Sequence, residues 1–141
     1  MREGISWMKF TIPIQPITKK NSQRLVNVKG RIIPLPSKAY KQYESDCGEW
    51  FGIMFANVRP QINKPVNVKA IYYMGTRRRV DLINLHEALH DILVKYGVIE
   101  DDNSKIIVST DGSRVDYDKQ NPRTEIEITY VGRGMSDENS I

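Results

Sequence analysis

Two amphipathic helical stretches set among short strands rich in β-branched residues predict one α+β domain, a small mixed sheet carrying two main helices. In the stronger stretch Leu82, Leu85, Leu89, Ile92, Leu93 and Tyr96 recur at helical spacing and make one apolar stripe. Residues 66–74, VNVKAIYYM, are the clearest strand. No repeat, low-complexity tract or Gly/Ser/Pro-rich linker divides the 141 residues. The expected organisation is a flexible extension over 1–8, a domain over 9–131 and a disordered tail over 132–141.

Residues 9–14 alternate loosely and run into Pro13 and Pro16, as an edge strand entering a turn does. The next loop holds Lys19, Lys20, Asn21 and Arg24, either to grip a phosphate or simply to stay solvated. Residues 24–36 read as a hairpin turning at Lys29-Gly30 and closed by Pro34 and Pro36. Ser37 is placed to cap a helix running to about Asn57, with Tyr40, Tyr43, Cys47, Trp50, Phe51 and Met54 on its apolar side. These aromatics suit a core better than a base-stacking platform, and Tyr40 and Lys41 alone stay open to DNA contact. Gly75 ends the strand over 66–74. Asp81 stands at the N-cap and Gly97 at the C′ position of the central helix. Ile106, Ile107 and Val108 form a short buried strand, Asp111-Gly112 a turn, and residues 124–131 the last strand.

Composition narrows the setting. No apolar run approaches the ~20 residues that span a bilayer, and the N-terminus lacks a signal-peptide core, which predicts a cytoplasmic protein away from membranes. The lone Cys47 reads as a small buried hydrophobe. Charge is split along the chain. Residues 1–79 hold fifteen Lys and Arg against four Asp and Glu, whereas residues 80–141 hold six against thirteen. The basic part suits a polyanion; the acidic part holds the candidate metal ligands.

Those ligands collect at the central helix: Asp81 before it, Glu87 on its polar face, and Glu100, Asp101 and Asp102 beyond its end. Gathered carboxylates repel unless a cation sits between them. Hard oxygen donors without companion thiols favour Mg²⁺ or Mn²⁺. Arg77, Arg78 and Arg79 immediately upstream match phosphate oxygens bidentately, so metal and phosphate together point to phosphodiester chemistry. Asp91 reads as a surface residue. A rival motif lies in the same helix: His86-Glu87-Ala88-Leu89-His90 fits the zinc-protease pattern H-E-x-x-H. That site needs a third ligand, and these are the only two histidines. Otherwise both sit on a polar, solvated face.

The runs RRRVDLINL, HDILVKYG and VIEDDNSKIIV resemble the RusA family of Holliday-junction resolvases, with the spacing from Asp81 to Asp102 kept without a gap. The opening IPIQPITKKNSQR and the closing TEIEITYV fit as well, so the resemblance spans residues 9–131. It implies a RusA-like homodimer that binds Mg²⁺ (Mn²⁺ as alternative) through acidic residues and grips four-way or other branched DNA through basic ones. By position, Asp81, Asp101 and Asp102 take the family's acidic places and Asn84 its asparagine. Ile83 stands where the family has a second aspartate, and Glu87, one turn later, is placed to deliver that carboxylate. The resulting catalytic set is Asp81, Glu87 and Asp102, with Asp101 as a further metal ligand, Asn84 in support, and Lys19, Lys20, Asn21, Arg24, Arg77, Arg78 and Arg79 on DNA. Two other readings remain: a junction-binding protein without catalysis, and the zinc protease.

Overall fold

In the computed structural model, residues 7–19, 24–35, 37–56 and 58–132 are described. The elements in order are β1 (Trp7–Ile12), β2 (Arg24–Val28), β3 (Arg31–Leu35), α1 (Lys38–Phe55), β4 (Val66–Met74), α2 (Leu82–Lys95), β5 (Ile107–Ser109), β6 (Arg114–Tyr117) and β7 (Arg123–Tyr130). The expected α+β architecture, two helices on a mixed sheet, is the one observed. Among the described residues no helix is long and apolar enough to cross a membrane.

Strand β4 is the axis of the sheet. On one side it pairs antiparallel with β7, which in turn pairs antiparallel with the edge strand β1. On the other side it pairs in parallel with β5 near its start and with β6 along its end. Parallel return requires a crossover, and α2 supplies it between β4 and β5. Alternation decides which face is covered: Val66, Val68, Ala70, Tyr72 and Met74 of β4 and Thr124, Ile126 and Ile128 of β7 are buried. Against them pack Tyr40, Tyr43, Cys47 and Phe51 of α1 and Leu85, Ala88, Leu89, Ile92 and Leu93 of α2. Burial pushes the Cys47 thiol up to about 12, consistent with an inert core residue.

Local signals account for the helix ends. Ser37 accepts a hydrogen bond from the Tyr40 amide, as an N-cap does. Gly97 adopts φ +77°, and the amides of Gly97 and Val98 donate to the carbonyls of Val94 and Leu93 in a Schellman closure. Gly75 does more than stop β4. A Cβ there would stand 2.6 Å from Gln15 Oε1, which accepts the Gly75 amide.

Several expectations need correction. The buried strand over 106–108 is instead β5, beginning at Ile107, and only Ile106 is fully buried while Val108 is 42% exposed. β6 has no counterpart in the sequence reading. β1 begins at Trp7, inside the expected extension. Residues 133–141 of the expected tail lie outside the described residues.

Two glycines inside α1 separate intrinsic propensity from packing. Alanine in a helix interior is normally better by about 0.5–1 kcal/mol. Around Gly52 a Cβ meets nothing within 4 Å, so Gly52→Ala should raise the thermal midpoint. Around Gly48 a Cβ would lie 2.4 Å from Tyr96 Cζ, forcing that ring away from Phe51. Gly48→Ala should therefore lower the midpoint, as a paired thermal denaturation will read.

Candidate active site

Burying the apolar stripe of α2 leaves a polar stripe along its outer side. Asp81 occupies the N-cap position but makes no side-chain cap bond. Its carboxylate instead accepts from Asn84 Nδ2 at 3.4 Å, and the residue is exposed. Glu87 is exposed about 120° further round the helix, and Asp91 follows at i+4. With a rise of 1.5 Å per residue, Asp81 and Asp91 stand ~15 Å apart along the axis. The stripe is thus extended rather than a single cluster, and among the described residues no three His, Cys, Asp or Glu gather closely enough to hold one ion.

The acidic turn after α2 meets the far end of the stripe. The Asp102 pKa is raised, first by slight desolvation and then by the charge of Asp91, although the residue is exposed. Asp101 is engaged locally, one oxygen accepting from the Asp102 amide at 2.7 Å and the other from Asn103 at 3.2 Å. Asp91 is therefore no mere surface residue. Lys19, from the loop after β1, forms an ion pair with Asp91 Oδ2, and its ammonium lies 5.9 Å from the Tyr40 ring centroid. Tyr40 is buried, and its hydroxyl is pushed up by that burial and by the charges of Glu44, Asp91 and Glu87. That hydroxyl has no hydrogen-bond partner among the described residues. Loop 15–19, the start of α1, the middle of α2 and the turn after it thus meet at one place.

The basic loop between β4 and α2 lies beside this place. Arg78 and Arg79 are exposed and line an open cleft of 650 Å³ whose opposite wall is residues 15–18. Arg77 stacks its guanidinium 3.9 Å above the Tyr117 ring. The three arginines keep the exposure that phosphate contact requires. Lys19 differs from expectation in being committed to a carboxylate. Lys20 and Asn21 lie outside the described residues, as does the side chain of Arg24.

A family model for endodeoxyribonuclease RusA matches residues 13–129. The chain belongs to the RusA endodeoxyribonuclease family. RusA membership carries nuclease activity on branched DNA, and the match begins just after β1 and runs from β2 to the penultimate residue of β7, with the cleft and stripe inside it. No curated protein matches the sequence. Against the RusA motif, Ile83 remains the departure: its side chain is 78% exposed, so the core does not require it.

Asp91 is the site residue that sequence reasoning missed, although its i+4 spacing from Glu87 was a usable signal. The histidines depart from expectation too. Rather than facing solvent, their rings stack 5.4 Å apart at 8°, and His86 Nδ1 meets the Tyr72 hydroxyl at 2.7 Å. His86 precedes Leu89 by three residues and Leu93 by seven, which puts it at the margin of the buried stripe. His90 Nε2 is buried without a hydrogen-bond partner among the described residues.

Burial lowers the His86 pKa and, helped by the neighbouring His86, pushes His90 down to about 4. Between pH ~6.5 and 4 the unfolded chain therefore binds a proton at His90 that the folded chain does not. This contribution is complete above pH ~6.5 and is lost as pH falls through 4, on the order of 3 kcal/mol. Urea midpoints taken from pH 7.5 to 4.5 should fall steeply for the native chain. For His90→Leu the same acid limb should be flatter.

Proposed function

We propose that the chain is a structure-selective endodeoxyribonuclease that resolves four-way DNA junctions by paired nicks, acting as an Mg²⁺-dependent homodimer in the cytoplasm. The observation that supports this best is the RusA match over 13–129 coinciding with a carboxylate stripe beside an arginine-lined cleft.

The donor chemistry fits the metal. All candidate ligands are carboxylates, the one cysteine is buried, and the imidazoles are packed against Tyr72 and each other. Mg²⁺ commonly keeps several waters and takes only one or two carboxylates with substrate phosphate, so it does not need a preformed cage of three. Asp102, whose pKa is raised by slight desolvation and by the charge of Asp91, would gain from a cation beside it. Asp81, Glu87, Asp101 and Asp102 are the residues that would hold the metal, with Asp91 as an added donor. When bound it lowers the pKa of a water and offsets charge developing on the scissile phosphate.

The chain's own groups do the positioning. Arg78 and Arg79 align the backbone in the cleft, and Arg77, braced on Tyr117, adds a third cation. Asn84 fixes the Asp81 carboxylate. A two-fold dimer presents two equivalent sites to opposed strands of a near-symmetric junction. A second reading, junction binding without cleavage, is favoured by exposed Ile83 in a carboxylate's place.

A labelled four-way junction incubated with Mg²⁺, with Zn²⁺ and with EDTA separates these readings. The expected result is paired nicks in Mg²⁺, none in EDTA, and a loss of at least about a hundredfold in Asp81→Asn and Glu87→Gln with binding kept. If the native chain binds but never nicks, while Ile83→Asp restores cleavage, the site is a binding one. Affinity should also fall steeply with salt, with a log–log slope of about 0.9 per phosphate neutralised.

A further inference from the structure

The hairpin β2–β3 stands apart from the sheet. Among the described residues its strands pair only with each other, and it turns through Lys29 (φ 52°) and Gly30 (φ 81°) with the Gly30 amide donating to Asn27 Oδ1. Positive φ at both turn residues is the type I′ geometry that suits a tight, twisted ribbon. Each strand has five residues, so the arm reaches ~17 Å. An isolated hairpin is marginal in water, yet this one leaves Leu25 72% and Ile32 61% exposed. Facing partners in the register are Leu25 with Pro34 and Asn27 with Ile32, so one face of the ribbon carries three exposed apolar groups.

Charge indicates what covers that face. No carboxylate occurs between Glu3 and Glu44, while eight Lys and Arg do, among them Lys29 and Arg31 at the tip. Two such arms face to face would repel; a polyanion would not. Described residues on either side of the arm meet at the candidate site: Lys19, before β2, pairs with Asp91, and its ammonium lies 5.9 Å from the ring centroid of Tyr40, after β3.

We propose that the β2–β3 hairpin is a DNA arm whose face of Leu25, Ile32 and Pro34 packs against bases at the branch point of a junction, with Lys29 and Arg31 on the flanking phosphates. This rests on the proposed action on branched DNA and adds the element that selects it. An apolar wedge in continuous duplex must first unstack a base step, at a cost of a few kcal/mol. At a branch point that stacking is already interrupted, so the same contact is gained without most of that cost. The arm therefore discriminates by structure without reading sequence.

The test uses a four-way junction carrying 2-aminopurine at the branch point and a linear duplex of the same sequence, both in EDTA so that no cleavage occurs. Native protein should prefer the junction and raise the 2-aminopurine fluorescence. Leu25→Ser with Ile32→Ser should abolish that rise and reduce the preference by about tenfold, with duplex affinity, thermal midpoint and oligomeric state unchanged. Lys29→Gln with Arg31→Gln should weaken junction and duplex alike. Unchanged preference and fluorescence in the serine variant overturns the arm's role while leaving the nuclease reading intact. Conversion of that variant to monomers assigns the face to a second copy and overturns it as well. A native chain with no junction preference brings down both this proposal and the reading beneath it.

Discussion

Helix α2 carries an apolar stripe on one side and an acidic stripe on the other, so burying the first against β4 dictates where the second points. Leu85, Leu89, Ile92 and Leu93 are essentially fully buried. At ~1.5–3 kcal/mol for each such side chain, this burial far outweighs the repulsion among exposed carboxylates, which costs about 1 kcal/mol per close pair in water. The fold can therefore tolerate an unfavourable acidic surface. The crossover from β4 through α2 to β5 fixes its position, with the arginine loop at the head of the helix and the acidic turn beyond its foot.

That acidic surface is balanced internally by a replaceable cation. The Lys19–Asp91 pair has both side chains about a third exposed, and such pairs contribute only ~0–1 kcal/mol. On the proposed reading Lys19 would exchange Asp91 for a DNA phosphate at little cost. The loop that carries Lys19 forms one wall of the arginine cleft and leads on toward the hairpin arm.

Much of this was legible in the sequence because each signal was local. The strand over 66–74 has β-branched and aromatic residues with a glycine stop, and it folds over the bounds expected. The hairpin turn, the Ser37 cap and the Gly97 closure are likewise set by residues within a few positions. β6 was not legible because RVDY carries two charges in four residues, and it becomes a strand only by pairing with the second half of β4. The candidate site was half legible. Carboxylates and arginines can be counted, but Asp91 gains its role from Lys19, 72 residues away, and the histidines from Tyr72 on another element.

Ile83 shows where counting residues stops being enough. On α2 it lies outward, one turn before Glu87, in a position where neither core packing nor helix propensity demands a β-branched apolar side chain. Carboxylate chemistry at that end of the stripe therefore rests on Asp81 and Glu87, whose separation along the helix axis is ~9 Å. Asp81 or Glu87 alone would then hold an Mg²⁺ ion on the proposed reading, with water and substrate phosphate supplying the rest. Isoleucine in place of a nearer carboxylate would leave more of the coordination to water and substrate, so metal affinity would depend on junction binding. On that reading the arginine-lined cleft would contribute to ion binding, through the phosphate, as much as the aspartates would.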